Sequence, residues 1–374
     1  MRKLRIALVT DKYLPVFGGL EILLRDLAHE LTARGHDVRV ISATPAGPND
    51  ADEAFTVKRL EVPLVLYRSC SRAAVQQLDR ELRDGRFDLV HAHCVFSPLA
   101  HAATFLARRR GIPSVFTLHS DLGGAGGTAM ALLHRLIGWG RWPTVVTSVS
   151  RYVGEQLRAV TARHDVELLP NAAHLDRWRQ AAEQAPRTKE LRIASAMRFT
   201  LRKRPLHLVR MLPALLSRLP RSAWPKLTII GDGPELPAVE REVARLGLGA
   251  HVELPGYLAH DALAATLARA SIFAVPSQRE ALSIAAIEAR AVGLPVVARI
   301  PSGVAEVIEH DRHGLLARTD GEFVDALVAL CADATLRARL ATAARADLER
   351  FSWPRCIARH EEIYALALQS HRAR

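Results

Sequence analysis

The stretch KLRIALVTDKYLPVFGGLEILLRDLAHELTARGHDVRVIS, residues 3–42, decides the fold. Its first run, Leu4–Thr10, is apolar almost throughout, as a strand buried on both faces must be. In LEILLRDLAHELTARG the apolar residues recur at three- and four-residue spacing and the period stops on Gly35, which reads as an amphipathic helix with its C-terminal glycine. Asp37–Ser42 returns as a second β-rich run. Strand, helix and strand in that order form a βαβ unit, because parallel neighbours need a helical crossover.

The alternation continues outward. Strand-like runs are read at Thr56–Val62, Asp88–His91, Ser114–Leu118 and Thr144–Val149, with helical periods between them. The pattern then breaks at DRWRQAAEQAPRTKE, a polar stretch read as a linker or a surface helix. It resumes at Leu191 with LRIASAM, followed by runs at Lys226–Ile230, His251–Leu254, Ile272–Val275 and Pro295–Ala298. A chain of 374 residues is long enough for about two domains. We therefore expect two similar α/β domains, each a doubly wound parallel sheet, with the boundary between residues 172 and 190.

Composition narrows the partner. Apolar residues make up 49% and charged residues 24%, a globular balance. The 51 bases exceed the 39 acids by twelve, and all but six of the bases are arginine. Such a surplus points to phosphate, nucleic acid or an acidic membrane surface, unless it records only Arg-rich codon usage. The four cysteines (Cys70, Cys94, Cys331, Cys356) are far apart and form no CxxC pair. That argues against a zinc ribbon, an iron–sulfur site or a disulfide scaffold, and favours a reduced compartment. The apolar run after Met1 is too short for a signal peptide, and nowhere do enough uncharged apolar residues run together to span a bilayer.

Some motifs exclude and others invite. No GxxxxGK[ST] is present, so a P-loop is excluded. GGAGGTA, Gly123–Ala129, does not match the dinucleotide fingerprint and reads as a glycine-rich loop. Gly18 and Gly19 precede the first helix, where backbone amides and the helix dipole favour an anion. Residues 191–231 hold nine bases and no acid; of these, Arg198 and Lys203 directly follow a strand, where a diphosphate could be clamped. In PSQREALSIAAIEARAVGLPVVA, Glu280 falls in a loop and Glu288 on the helix beginning near Ser283. A carboxylate among small apolar neighbours is costly unless it binds something. Two such acceptors suit sugar and ribose hydroxyls, with the amides of Ala281, Leu282 and Ser283 turned to phosphate oxygens. His91 and His93 are expected on opposite faces of their strand, so a metal pair there is disfavoured.

These motifs, in order, resemble one family: PVFGGLE, VHAH, TLHSD, SVS, LPN, MRFTLRK, GDGP, GYL, the two-glutamate segment and FSW. The chain is similar to family 4 retaining glycosyltransferases (glycosyl transferases group 1) of the GT-B fold. The resemblance implies two Rossmann-like domains facing a central cleft, at residues 1–180 (acceptor) and 181–355 (nucleotide sugar). It also implies a helix at 356–374 that returns to the first domain. Arg198 and Lys203 would bind the donor diphosphate, Glu280 the donor sugar and Glu288 the ribose. Gly18 and Gly19 would face the phosphates, His119 would stand at the reaction centre, and Asn171 would line the substrate site. The base would meet main-chain atoms near Tyr257. No metal and no cofactor beyond a UDP- or GDP-sugar would be needed, since the cations would replace a metal. The sequence departs from the family pattern at Ala281–Ser283, at Ala172 and Ala173-His174 after the LPN motif, and at Ser302-Gly303.

The implied activity is hexosyl transfer to an acceptor hydroxyl on a small molecule, glycan or lipid. A nucleotide-sugar epimerase or phosphorylase-like enzyme on the same fold is the nearer alternative. A basic binding protein is the more distant one, and nucleic acid is not expected because aromatics are 5% and do not interleave with the bases. The acceptor site is expected near the Gly123 segment and Arg141. Arg108, Arg109 and Arg110 either cap a helix end or touch an anionic membrane, which would place a cytoplasmic protein at the inner face. The oligomeric state is not legible.

Overall fold

Strand β1 (Arg5–Thr10) is the centre from which the first half is built, and five of its six residues are buried. The structure is a computed structural model and describes residues 2–16, 18–46, 53–60, 71–185 and 190–373. Cys70, the end of the Thr56–Val62 run, Phe17 and the close of the polar stretch (186–189) lie outside the described residues.

The first half continues as α1 (Gly19–Ala33), β2 (Asp37–Ser42), β3 (Thr56–Arg59), α2 (Arg72–Asp84), β4 (Leu89–His93), α3 (Pro98–Arg109), β5 (Ser114–Leu118), α4 (Gly124–Ile137), β6 (Val145–Ser148), α5 (Arg151–Thr161) and β7 (Val166–Leu168). The second half runs α6 (Leu175–Gln184), β8 (Arg192–Ala196), α7 (Pro205–Leu216), β9 (Lys226–Ile230), α8 (Leu236–Arg245), β10 (Val252–Glu253), α9 (His260–Ala268), β11 (Ile272–Val275), α10 (Ile284–Val292), β12 (Val296–Arg299), β13 (Gly314–Ala317), α11 (Asp320–Ala332), α12 (Ala334–Ala344) and α13 (Trp353–Arg372). The strand order is β3-β2-β1-β4-β5-β6-β7 in the first sheet and β10-β9-β8-β11-β12-β13 in the second, with every pairing parallel. Both orders reverse beside their first strand, as in a doubly wound sheet.

The sequence explains the punctuation. Ser71, Ser97 and Ser150 cap α2, α3 and α5 by accepting the amide three residues on. Gly35 takes φ +87° just past α1, a conformation glycine adopts without strain. The GGAGGTA segment is a correction: Gly123 is the N-cap and Gly124–Ala129 begin α4, so it is not a loop. Gly127 is needed there because a Cβ would lie 1.5 Å from the Leu122 carbonyl oxygen. Close packing of this turn outweighs the poor helix propensity of glycine.

The chain forms two compact units, Met1–Ala172 with Trp353–Arg374, and Ala173–Ser352. The second unit takes in α6, which packs on α9 and α10, so it starts ahead of the residue-180 boundary. The final helix belongs to the first unit: Arg359 bonds Leu168 O at 3.1 Å and Glu167 at 2.6 Å. Ile193, Phe199, Leu208, Leu227, Ile229 and Phe323 are central to the second unit's core. Cys94, Cys331 and Cys356 are free thiols. Among the described residues no helix is long and apolar enough to cross a membrane.

Candidate active site

In the second unit, the loops after β8 and β11 leave the strands where the sheet order reverses, the position at which ligands of open parallel sheets bind. Arg198 lies on the first loop. It is exposed, and its guanidinium bonds no described residue. Its neighbour Phe199 is fully buried and anchored by main-chain bonds, its amide to Asp232 O at 2.8 Å and its carbonyl to the Glu235 amide at 3.1 Å. Those bonds explain the glycines of GDGP. Gly231 and Gly233 take φ +132° and +151°, and a Cβ on them would lie 1.9 Å from Met197 O and 2.5 Å from Phe199 O. The loop after β9 thus closes onto the loop after β8 and fixes where Arg198 stands.

Lys203 and Glu280, 77 residues apart in sequence, meet directly. The ammonium donates to both carboxylate oxygens, at 2.7 and 2.8 Å. Glu280 is buried, whereas the Lys203 side chain keeps 24% exposure. Three more contacts hold the loops in place. Ser277 Oγ donates to Lys203 O at 3.3 Å, Gly303 N donates to Glu280 O at 2.7 Å, and Arg204 donates to Pro276 O at 3.4 Å. Arg204 also grips Asp320 with two bonds of 2.9 and 2.7 Å, and Arg299 reaches the same carboxylate. The Arg204 bonds hold the Asp320 carboxyl below its usual range. Arg204 is therefore the structural base of the basic segment, distinct from its two neighbours.

Beyond Glu280 the chain turns into α10. Ser283 takes φ +75° at its N-cap, and Leu282 is buried. The amides of Ala281, Leu282 and Ser283 donate to no carbonyl among the described residues. They stand before a helix N-terminus, an arrangement that suits an anion. Glu288 is half-buried on the same helix. Tyr257 is half-exposed beside Gly256, whose carbonyl accepts from Gly231 N at 2.8 Å.

In the first unit, Gly18 is the extended N-cap of α1, and a Cβ there would meet only the Glu21 carboxylate. Around Gly19 there is open space. His119, just past β5, belongs to a histidine cluster. His93 Nδ1 and His119 Nε2 lie 3.1 Å apart. The rings of His91 and His93 stack with centroids 4.0 Å apart. This corrects the expected opposite facing, because residues two apart on a strand share a face. His91 also bonds Tyr364 Oη at 2.9 Å and Thr117 Oγ1 at 2.7 Å. His360 bonds Cys356 O at 2.8 Å.

Burial keeps these rings neutral. It pushes His119 down to about 3 and His360 to about 4, and holds His91 and His93 well below the usual value. The Asn171 amide beside His119 acts the other way. His119, Asn171, His93, His360 and Cys356 line one small pocket under α1. His93 Nε2 and His119 Nδ1 are buried there without a partner among the described residues. Among the described residues, no group of three or more His, Cys, Asp or Glu could hold a metal ion.

The second unit thus carries Arg198, Lys203, Glu280, Ala281, Leu282, Ser283 and Glu288 on the loops after β8 and β11 and on α10; the first brings together His119 and Asn171, with Gly18 and Gly19 at the start of α1. Sequence reasoning considers His93 only as half of a disfavoured metal pair with His91, and passes over His360. For His93, the signal was its two-residue spacing from His91, one strand away from His119.

Comparison with known proteins agrees with the fold of two parallel-sheet units. Residues 17–177 match the family described as Glycosyltransferase Family 4, and residues 176–347 the family described as Glycosyl transferases group 1. A D-inositol 3-phosphate glycosyltransferase of Streptomyces scabiei is 26% identical over 95% of this chain and 88% of its own. A GDP-mannose-dependent alpha-(1-6)-phosphatidylinositol monomannoside mannosyltransferase of Mycobacterium tuberculosis is 29% identical over 86% of each. Among solved structures, Anabaena HepE in complex with UDP and glucose superposes with a TM-score of 0.79 over 97% of this chain and 99% of its own, at 18% identity. Sucrose-phosphate synthase from Thermosynechococcus elongatus does so at 0.80 over 97% and 98%, at 20% identity. The chain is a GT-B glycosyltransferase, its first half belonging to Glycosyltransferase Family 4 and its second to glycosyl transferases group 1.

Proposed function

We propose that the enzyme is a metal-independent, retaining hexosyltransferase that moves a sugar from a UDP- or GDP-sugar to an acceptor hydroxyl. The observation that carries the reading is the Lys203–Glu280 pair at the sheet's reversal point, beside Arg198 and the amides of Ala281–Ser283. Arg198, Lys203 and the amides would hold the diphosphate. Glu280, kept in place by Lys203, would accept hydroxyls of the sugar, and Glu288 those of the ribose. His119 and Asn171 are included on the family resemblance, His119 for the reaction centre and Asn171 for substrate binding.

In the reaction, the bond between the anomeric carbon and the phosphate oxygen breaks, and its electron pair stays on the diphosphate. The acceptor oxygen attacks the same face and forms the new glycosidic bond. Its proton passes to the departing phosphate oxygen. Fixed cations favour this step because negative charge grows on the leaving group.

The acceptor we favour is a phosphate-bearing polyol, free or as a lipid headgroup. Inositol phosphate and phosphatidylinositol appear in the names of the Streptomyces and Mycobacterium relatives, and phosphatidylinositol again in a human N-acetylglucosaminyltransferase subunit 29% identical over 81% of this chain. The strongly basic composition suits such an anion.

A thermal-shift comparison of UDP and GDP identifies the base. Arg198→Ala, Lys203→Ala and Glu280→Ala, assayed while still folded, are each expected to lower transfer about 10²–10³-fold. Full activity in all three would overturn the assignment. Epimerised sugar from donor alone would favour the epimerase reading, and an inverted product anomer would remove retention.

A further inference from the structure

Helix α4 carries two apolar faces where a surface helix needs one. Gly127 and Met130 turn inward and are buried. On the other side Leu132 and Leu136 are 57% and 72% exposed, and Ile137, the last residue of the helix, is 47% exposed. Leu132 and Leu136 are one turn apart, so they form a ridge. At the start of the helix, Phe96 is 41% exposed and its ring lies over Gly126, where a Cβ would stand 3.2 Å away. Several large apolar side chains exposed on one helix and at its start mark an interaction site.

The same surface continues into the end of α3. Arg108 donates to Arg141 O at 2.9 Å, tying the last turn of α3 to the turn that follows α4. Phe105 packs edge-on against Trp142 with centroids 5.1 Å apart, and the Arg109 guanidinium lies 5.9 Å over the Phe105 ring. Arg110 is engaged by Asp79 and takes no part.

Charge decides the occupant. From Leu89 to Gly154 the only carboxylate is Asp121, which is buried against Gln156 and the Gly123 amide. The same span holds six arginines. An aliphatic ridge flanked by bases, with no acid of its own between them, is the composition of a helix lying in a membrane interface. A nucleic acid would instead ask for aromatics interleaved with the bases.

We propose that α4 and the end of α3 form the surface by which this enzyme lies on an anionic bilayer. Leu132 and Leu136 enter the boundary between headgroups and acyl chains, and Arg108, Arg109 and Arg135 meet lipid phosphates. The inference deepens the lipid-acceptor reading above and rests on it for its purpose, but it has its own measurement.

The full chain is sedimented with vesicles of phosphatidylcholine alone and with vesicles of phosphatidylcholine and phosphatidylglycerol in equal parts. Binding to the mixed vesicles only, weakened by salt, is expected. Leu132→Ser with Leu136→Ser should lower the partition coefficient about tenfold or more. Arg108→Gln and Arg109→Gln should each lower it roughly fivefold. These side chains are exposed, so the variants should unfold at the wild-type temperature. Donor cleavage without vesicles should also match wild type, which separates failure of this proposal from failure of the transferase reading. Absence of wild-type binding to anionic vesicles, or equal binding by wild type and the double-leucine variant, would overturn it. A dimer in light scattering that Leu136→Ser dissociates would assign the ridge to a second copy of this chain and would also overturn it.

Discussion

Lys203 and Arg198 are five residues apart on one loop, yet their surroundings separate them. Lys203 is the bonded partner of buried Glu280; Arg198 faces solvent. Lys203→Met strands a carboxylate that is mostly out of water and should cost about 1–3 kcal/mol of stability. Arg198→Met leaves no group orphaned and should cost less than about 0.5 kcal/mol. Chemical denaturation of the two variants checks the contrast, and equal losses would refute it. The residue types of this pair were legible from their place after a strand and in a glutamate-bearing loop. Their bond to each other was not, because it depends on β8 and β11 being sheet neighbours. His93 and His119 raise a similar point at the level of single protons. Two neutral imidazoles joined by one hydrogen bond share one donor, so of their outward nitrogens one carries a proton and the other a lone pair. The pocket they face therefore always presents both characters.

At the scale of elements, the loops succeed because two glycines let backbones touch. Gly231→Ala puts a methyl against the Met197 carbonyl at a φ that side chains rarely adopt. We expect a loss of about 1–3 kcal/mol, and a fall in transfer larger than that instability explains, since the Arg198 loop must shift. An unchanged rate at a temperature where the variant is folded would refute this account of the motif. The central strands were readable because burial on both faces leaves continuous apolar runs, as in IALV of β1 and LTII of β9. The edge strands β7 (VEL) and β13 (GLLA) were not read, being too short and too mixed to show a pattern. Helix α4 was misread because its glycines answer to packing against Leu122, a contact that propensity does not register.

Across the whole molecule the buried histidines set a pH limit. His91, His93, His101, His119 and His360 all have their pKa lowered by burial, His101 and His360 to about 4. An unfolded histidine titrates near 6.5, so below that pH the unfolded chain binds more protons. Stability therefore holds above about pH 7 and falls as pH drops from 6.5 towards 4, by roughly 1.4 kcal/mol per pH unit for each such histidine. Denaturation midpoints between pH 7 and 5 check this; His101→Gln should lower the slope by one proton, and a flat profile would contradict it. The division of the chain has a different consequence. Ala173 and Ser352 pair with each other, so the second unit begins and ends at one place, inserted within the first. During synthesis the insert is complete while its host still lacks α13, and with it the Tyr364 hydroxyl that bonds His91 and the ring of His360. The part of the protein made first is the last that can finish folding, and a chain stopped before Trp353 carries a whole second unit beside an unfinished first.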